Sequence, residues 1–300
     1  MSLQKTARSA CSRKVHCVSK KYLDDPFVAF FAKDDTIVNS PLMNRGTWLR
    51  TTAIEQCVLS FFEQCNSVPI QVISYGAGVD TLFFRLKKDH PSVLLEKYVE
   101  IDFADLVEEK RKVIEKNTIF QQYVTDDVYQ LFSSDLRQPK EVIGQLKKHI
   151  KPNVPTIILA EMVFVYIEES ITSELLKLSL DDLLNGGKPV EFISYDSMQP
   201  NDRFGEMMVE NLSNIGAELK GIHSLPDPPS HEKRALSVGF EHAKCVSMKK
   251  LYLSVPQSVT THLNKLEMID DWDEWNLVHD HYCFLIATTK IDVPKIFSAP

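Results

Sequence analysis

The stretch from Ile70 to Asp102 constrains this chain more than any other. It opens on an apolar run, Ile70-Gln71-Val72-Ile73-Ser74-Tyr75, which enters the turn Gly76-Ala77-Gly78-Val79-Asp80. A helical stretch follows over residues 80–88, and a second apolar run, Tyr98-Val99-Glu100-Ile101, ends on Asp102. Strand, glycine turn, helix, strand and terminal acid spell a parallel βαβ unit, with an adenosine-type cofactor expected across the strand ends.

The two glycines can take φ > 0 and let a ligand approach the backbone closely. Asp102 follows Gly78 by 24 residues, where a carboxylate can accept both hydroxyls of a ribose. The third glycine of a dinucleotide fingerprint is absent, because Leu82 and Phe83 stand in that region. Gly-x-Gly plus an acid therefore suits S-adenosylmethionine, which has a ribose but no phosphate. A tight turn with a surface acid is the plainer reading of the same residues.

The remaining patterns extend this unit. Strands are expected near 70–75, 98–102, 129–134, 156–161 and 190–195, with helices near 80–88, 103–117, 139–149 and 169–184. Asp102, Asp135 and Glu161 all fall at strand carboxyl ends, where open α/β sheets bind ligands. Two late strands, Phe240 to Met248 and His281 to Thr289, predict an antiparallel edge hairpin. The fold class is then α/β: a class I methyltransferase fold with a seven-stranded, mostly parallel sheet and helices on both faces. Residues 1–66 form a helical leader able to close over the cofactor site, with helices at Tyr22 to Lys33 and about 44–65. Its first 20 residues, polar and basic, read as a frayed tail. Residues 67–300 form the methyltransferase domain, with insertions at about 200–235 and 250–278. Leu225 to Pro229 reads as a loop.

Composition excludes some functions. A net charge of −7 and a pI near 5.7 argue against a general nucleic-acid binder. No apolar run reaches transmembrane length and the N-terminus lacks a secretory core, so no membrane partner is expected. Cys11, Cys17, Cys57, Cys65, Cys245 and Cys283 form no Cys-x-x-Cys pair, which predicts free thiols in a reducing cytoplasm. His279-Asp280-His281 lacks a third ligand, so a structural role is expected and no metal.

Seven stretches together resemble the leucine carboxyl methyltransferase family. They are Asn44-Arg45-Gly46 with Arg50; Ser74 through Thr81; Val99-Glu100-Ile101-Asp102-Phe103; and Ser134-Asp135-Leu136-Arg137. The others are Leu159-Ala160-Glu161 through Tyr166; Ser194-Tyr195-Asp196 through Gly205; and His281-Tyr282. The resemblance implies methyl esterification of the C-terminal leucine of the protein phosphatase 2A catalytic subunit, which regulates holoenzyme assembly, by a monomeric enzyme that docks the folded phosphatase. It implies S-adenosyl-L-methionine contacts at Lys14, Arg50, Gly76, Asp102, Asp135, Leu136 and Glu161. A related branch acts in tRNA wybutosine synthesis and carries a long C-terminal extension; the end at Pro300 and the acidic balance disfavour it.

The chemistry asks little of the protein. A carboxylate nucleophile is already ionised near neutral pH and needs no general base. It must be held in line with a sulfonium methyl. Arg50 suits a bidentate carboxylate contact, with Lys14 as supplement and Tyr166 as a hydrogen-bond donor to the substrate. Arg203 is expected to pair with Asp196 or Asp202 and stays outside the site. Two other classes compete: an inactive cofactor-binding regulator, and a nicotinamide-dependent oxidoreductase. The second lacks its third glycine and a Tyr-x-x-x-Lys pair.

Overall fold

The computed structural model, which describes residues 4–32, 38–124 and 127–297, builds one sheet of seven strands. They are β1 (Ile70–Tyr75), β2 (Leu95–Asp102), β3 (Tyr129–Ser133), β4 (Thr156–Glu161), β5 (Val190–Ser197), β6 (His242–Ser247) and β7 (Tyr282–Thr289). Their order is β3-β2-β1-β4-β5-β7-β6. Strand β7 runs antiparallel to both neighbours, while β1 to β5 pair in parallel. The direction of winding reverses between β1 and β4. Their carboxyl ends therefore diverge into a crevice, the usual ligand position in such sheets.

The helices follow in chain order. The leader holds α1 (Gln4–Ser19) and α2 (Pro41–Gln64). The crossovers are α3 (Leu82–Asp89), α4 (Ala104–Lys116), α5 (Thr118–Gln121), α6 (Pro139–Leu146) and α7 (Glu169–Leu178). After β5 come α8 (Arg203–Asn214) and α9 (Pro228–Val238). Between β6 and β7 lie α10 (Met248–Tyr252), α11 (Gln257–Leu266) and α12 (Trp272–Asp280). One core joins Ile54, Val58 and Phe61 of α2 to Val72 and Ile157 of the sheet. The opposite face packs Val142, Ile143, Leu175 and Ala235 on Ile73, Ile158 and Phe192. Strands buried on both faces read as continuous apolar runs, which is why β1 and β4 are visible in sequence.

Several expectations change. Of the first 20 residues, expected to be a frayed tail, Gln4–Ser19 form α1, a four-turn helix with Cys11, Lys14 and Cys17 buried. Conversely, the helix expected from Tyr22 to Lys33 shrinks to one 3-10 turn, Val28–Phe31, with Lys33 outside the described residues. Pro26 disfavours helical geometry before it, and the Asp25 carboxylate takes up the amides of Phe27 and Val28. Most of the connection expected from Asp34 to Pro41 also lies outside the described residues. The loop at Leu225 to Pro229 ends early, because Asp227 caps α9 from its first residue. The edge pair β6 and β7 is present, but 250–278 inserts between them.

Two family stretches are structural. The Arg45 guanidinium donates to Tyr252 Oη at 3.1 Å, Asn264 Oδ1 at 2.8 Å and the Glu267 carbonyl at 2.7 Å. A Cβ at Gly46 would lie 2.3 Å from His279 Nε2, and that ring stacks on Trp275. Asn44-Arg45-Gly46 is thus where the last insertion grips α2. Asp202 caps α8 and receives His281 Nε2 at 2.9 Å, so it pairs with histidine and not with Arg203, which is exposed. A Cβ at Gly205 would sit 1.9 Å from the Gln199 carbonyl oxygen. His279 and His281 are structural, and no metal-binding cluster occurs among the described residues. No helix among those residues is long and apolar enough to cross a membrane. All six cysteines are free and buried.

Candidate active site

A cavity of about 380 Å³ opens at the β1/β4 reversal. Lys14, Arg50, Gly76, Asp102, Asp135, Leu136, Glu161 and Tyr166 all line it. Residues scattered over more than half of the sequence therefore meet around one space.

Its floor is made by strand ends. Gly76 and Gly78 have φ of +65° and +53°, so the turn after β1 uses the left-handed freedom expected of it. A Cβ at Gly76 would also lie 2.3 Å from Val163. Asp102 Oδ2 accepts the Gly78 amide at 2.6 Å, and Oδ1 accepts the Phe103 amide at 2.7 Å. Burial raises the Asp102 pKa, and these two amides partly offset it. The carboxylate is oriented by backbone, with lone pairs left for a ligand. Asp135 follows β3 and is held by Arg137, whose hydrogen bonds lower its pKa. Glu161 ends β4, and Met162 after it takes φ of +51°, an unusual conformation for a side-chain-bearing residue. That turn carries the chain into the short helical turn that brings Tyr166 to the cavity.

The roof comes from the leader. Helix α1 lays Thr6, Ala7, Ala10, Cys11 and Lys14 over the space, and a Cβ at Gly78 would touch Ala7 at 3.3 Å. Lys14 Nζ lies 3.0 Å from Asp80 Oδ1, 2.9 Å from Thr81 Oγ1 and 3.1 Å from Asp25 Oδ2. An ammonium has three protons, so protein acceptors engage all of them. Burial is the largest single influence and opposes its charge, but Asp80 and Asp25 together outweigh it and the pKa rises. Arg50 enters from α2, its Nε 2.8 Å from Glu161 Oε1 although the N–H is not aimed at that oxygen. The guanidinium lies 5.3 Å from the centre of the Tyr195 ring. Burial opposes the Arg50 charge, while Glu161 and Tyr195 raise its pKa. The Tyr166 phenol is pushed up to about 12 by burial, with Thr6 beside it.

The site also holds residues to which the sequence reading assigns no role. Asp80 lines the cavity and its carbonyl accepts Lys110 Nζ at 2.6 Å. The same ammonium meets Glu100 at 2.5 Å, and Tyr129 donates to Glu100 at 2.8 Å. Gly216, Glu218 and Lys220 bring the insertion after β5 to the cavity, whereas Pro226 to Pro229 do not line it. The one signal for α1 was the spacing of Ala7, Cys11 and Lys14, which share a helix face at i, i+4 and i+7.

A nucleoside cofactor fits these groups. The floor offers a backbone-oriented carboxylate beside a glycine turn, and the roof offers cations. Comparison with known proteins agrees: the family model described as leucine carboxyl methyltransferase matches residues 5–179. The chain belongs to the leucine carboxyl methyltransferase family. It is 30% identical to the leucine carboxyl methyltransferase 1 homolog of Arabidopsis thaliana, covering 95% of this chain and 89% of that one. Identity to leucine carboxyl methyltransferase 1 of Bos taurus is 28%, over 94% and 88%. The human tRNA wybutosine-synthesizing protein 4 is 27% identical over 97% of this chain, which spans only 44% of it. Among solved structures, the plantazolicin methyltransferase BpumL superposes with a TM-score of 0.50 at 12% identity, covering 96% of this chain and all of that one. A duf574 family protein from Streptomyces avermitilis gives 0.54 at 12%, over 83% and 86%. The fold is that of the S-adenosylmethionine-dependent methyltransferases.

Proposed function

We propose that this chain methylates the C-terminal leucine carboxylate of the protein phosphatase 2A catalytic subunit. The observation that carries the reading is the convergence of all eight family positions on one cavity, with Arg50 inside it beside Glu161 and Tyr195. When bound, S-adenosylmethionine supplies an electrophilic methyl group on a sulfonium. The protein's own part is positional. Asp102 receives the ribose hydroxyls, its carboxylate already turned by two amides. Arg50 presents a planar fork to a carboxylate. Tyr166 keeps its proton at neutral pH and donates a hydrogen bond to the substrate carboxylate. No base is required, since the nucleophile is ionised already. Esterification removes one negative charge from the phosphatase tail, a change suited to controlling holoenzyme assembly.

A pocket for an apolar side chain discriminates a missing methylene by only about 1–3 kcal/mol. Selectivity must therefore come also from the folded phosphatase, which makes short tail peptides poor substrates. The test uses labelled S-adenosylmethionine and intact phosphatase. Label should transfer to the catalytic subunit and leave as methanol in mild base. Base-stable label, or label on a subunit lacking its terminal leucine, rejects the reading. A second reading draws on the nearly equal identity to the wybutosine-synthesizing protein. It predicts transfer to tRNA in the same assay, and the net charge of −7 weighs against it.

A further inference from the structure

Asp25, which with Pro26 belongs to the N-terminal family match and takes no role from the sequence, joins three segments around the cavity. Its side chain is wholly buried. Oδ1 accepts the amides of Phe27 at 3.0 Å and Val28 at 3.1 Å, which fixes the chain just after α1. Oδ2 accepts the Thr81 hydroxyl at 2.5 Å and lies 3.1 Å from Lys14 Nζ and 3.5 Å from Arg85 Nε. Thr81 and Arg85 belong to the start of α3, directly after the cofactor turn, and Arg85 also pairs with Glu55 of α2. Through Lys14 the carboxylate reaches α1. Near its other end α1 is tied by Arg8 to Glu109 of α4 at 2.7 Å. Of the residues that cover the cavity, Ala10 and Cys11 lie between those two ties, and Thr6 and Ala7 lie just before Arg8.

A buried charge is costly unless it is paired. Lifting α1 would strip Lys14 from three acceptors at once and leave Arg85 as the one cation beside Asp25 among the described residues. The closed position is therefore held by one compact charge cluster. Asp102 on the floor has no part in that: its carboxylate accepts the backbone amides of Gly78 and Phe103.

We propose that Asp25 is a positioning residue that latches α1 over the cavity through Lys14, so that breaking this latch sets the rate at which a bound cofactor leaves. Only the last clause rests on the function proposed above. Asp25 does not itself line the cavity.

The experiment is hydrogen exchange of the full chain with Asp25→Asn, Lys14→Met and both together, alongside S-adenosylmethionine dissociation by stopped flow. Loss of a hydrogen bond to a charged group converts to a factor of about 10–100. Asp25→Asn should speed exchange of the α1 amides, and cofactor dissociation, by about that factor, with β4 unchanged. The association rate should hold steady, which general destabilisation would not produce. The double variant should add little to either single one. Unchanged α1 exchange in Asp25→Asn, or full additivity, overturns the latch. Should that variant not fold, the unmodified protein decides. Its α1 amides must exchange as one group, faster than β4, and exchange as slow as β4 overturns the proposal. If α1 responds to the substitutions but the cofactor does not bind, the latch stands and the proposed function fails.

Discussion

The floor and the roof of the cavity are both polar, but they are held by different forces. Asp102 on the floor is set by two backbone amides, and its strand is paired on both sides. Lys14 and Arg50 in the roof are set by side-chain carboxylates: Asp25 and Asp80 for one, Glu161 for the other. Backbone bonds in a sheet persist while the sheet persists. An ion pair is exchanged when a better-placed anion arrives. The floor is thus pre-organised, whereas the roof carries cations whose partners a charged ligand can replace. That division suits a site that must bind a nucleoside firmly and also admit a carboxylate.

Breaking the roof should cost most. Arg50→Lys keeps the charge but loses the planar fork and its packing on Tyr195. Turnover should fall by about a hundredfold or more, as when a preorganised donor is lost, with the melting temperature little changed. Near-normal turnover would mean that Arg50 is no anion clamp. Breaking the floor should cost less. Asp102→Ala removes the ribose acceptor and should weaken S-adenosylmethionine by about 1.5–3 kcal/mol in calorimetry. Its effect should fall on cofactor affinity, and Arg50→Lys should act chiefly on turnover. Equal effects of both variants on both quantities would erase the distinction between floor and roof.

The same distinction decides what the sequence reveals. Floor residues lie at the ends of apolar runs, and the runs exist because β1, β2 and β4 are buried. Asp102 and Glu161 therefore follow from pattern. The roof follows from tertiary contact. Lys14 sits in the middle of the buried stripe of α1, and a lysine there reads as solvent-facing. Its first turn also carries no acidic residue to announce it. Asp25 precedes a proline and reads as turn punctuation, although it is a buried hub. The insertions fail for a related reason: α9 buries His231 and Arg234 beside Ala235 and Val238, and α11 buries only Leu263, so neither has a buried apolar stripe to read. Asn44-Arg45-Gly46, a stretch that carries the family resemblance, packs against 250–278.

The smallest effect on the site should come from a buried acid beneath the roof. Glu191 lies in the middle of the sheet on β5, fully buried, with both carboxylate oxygens lacking a hydrogen-bond partner. Cys57 and Cys65, at the far end of the helix that carries Arg50, feel its charge. Burial raises its pKa well above the ordinary value. A folded pKa above the unfolded one, about 4.3, means the native state binds the proton more tightly. The stability this contributes is complete below the unfolded value and is lost as pH rises toward the folded one, by about 1.4 kcal/mol per pH unit. Glu191→Gln carries no such proton. Its stability in urea should be flatter with rising pH than that of the natural chain, and higher at neutral pH. Cofactor affinity and turnover should not change, because Glu191 does not line the cavity. If instead the two chains lose stability in parallel as pH rises, Glu191 is not the group that titrates. If turnover falls with an intact fold, the lower end of α2 matters to Arg50, and the roof extends deeper than its ion pairs.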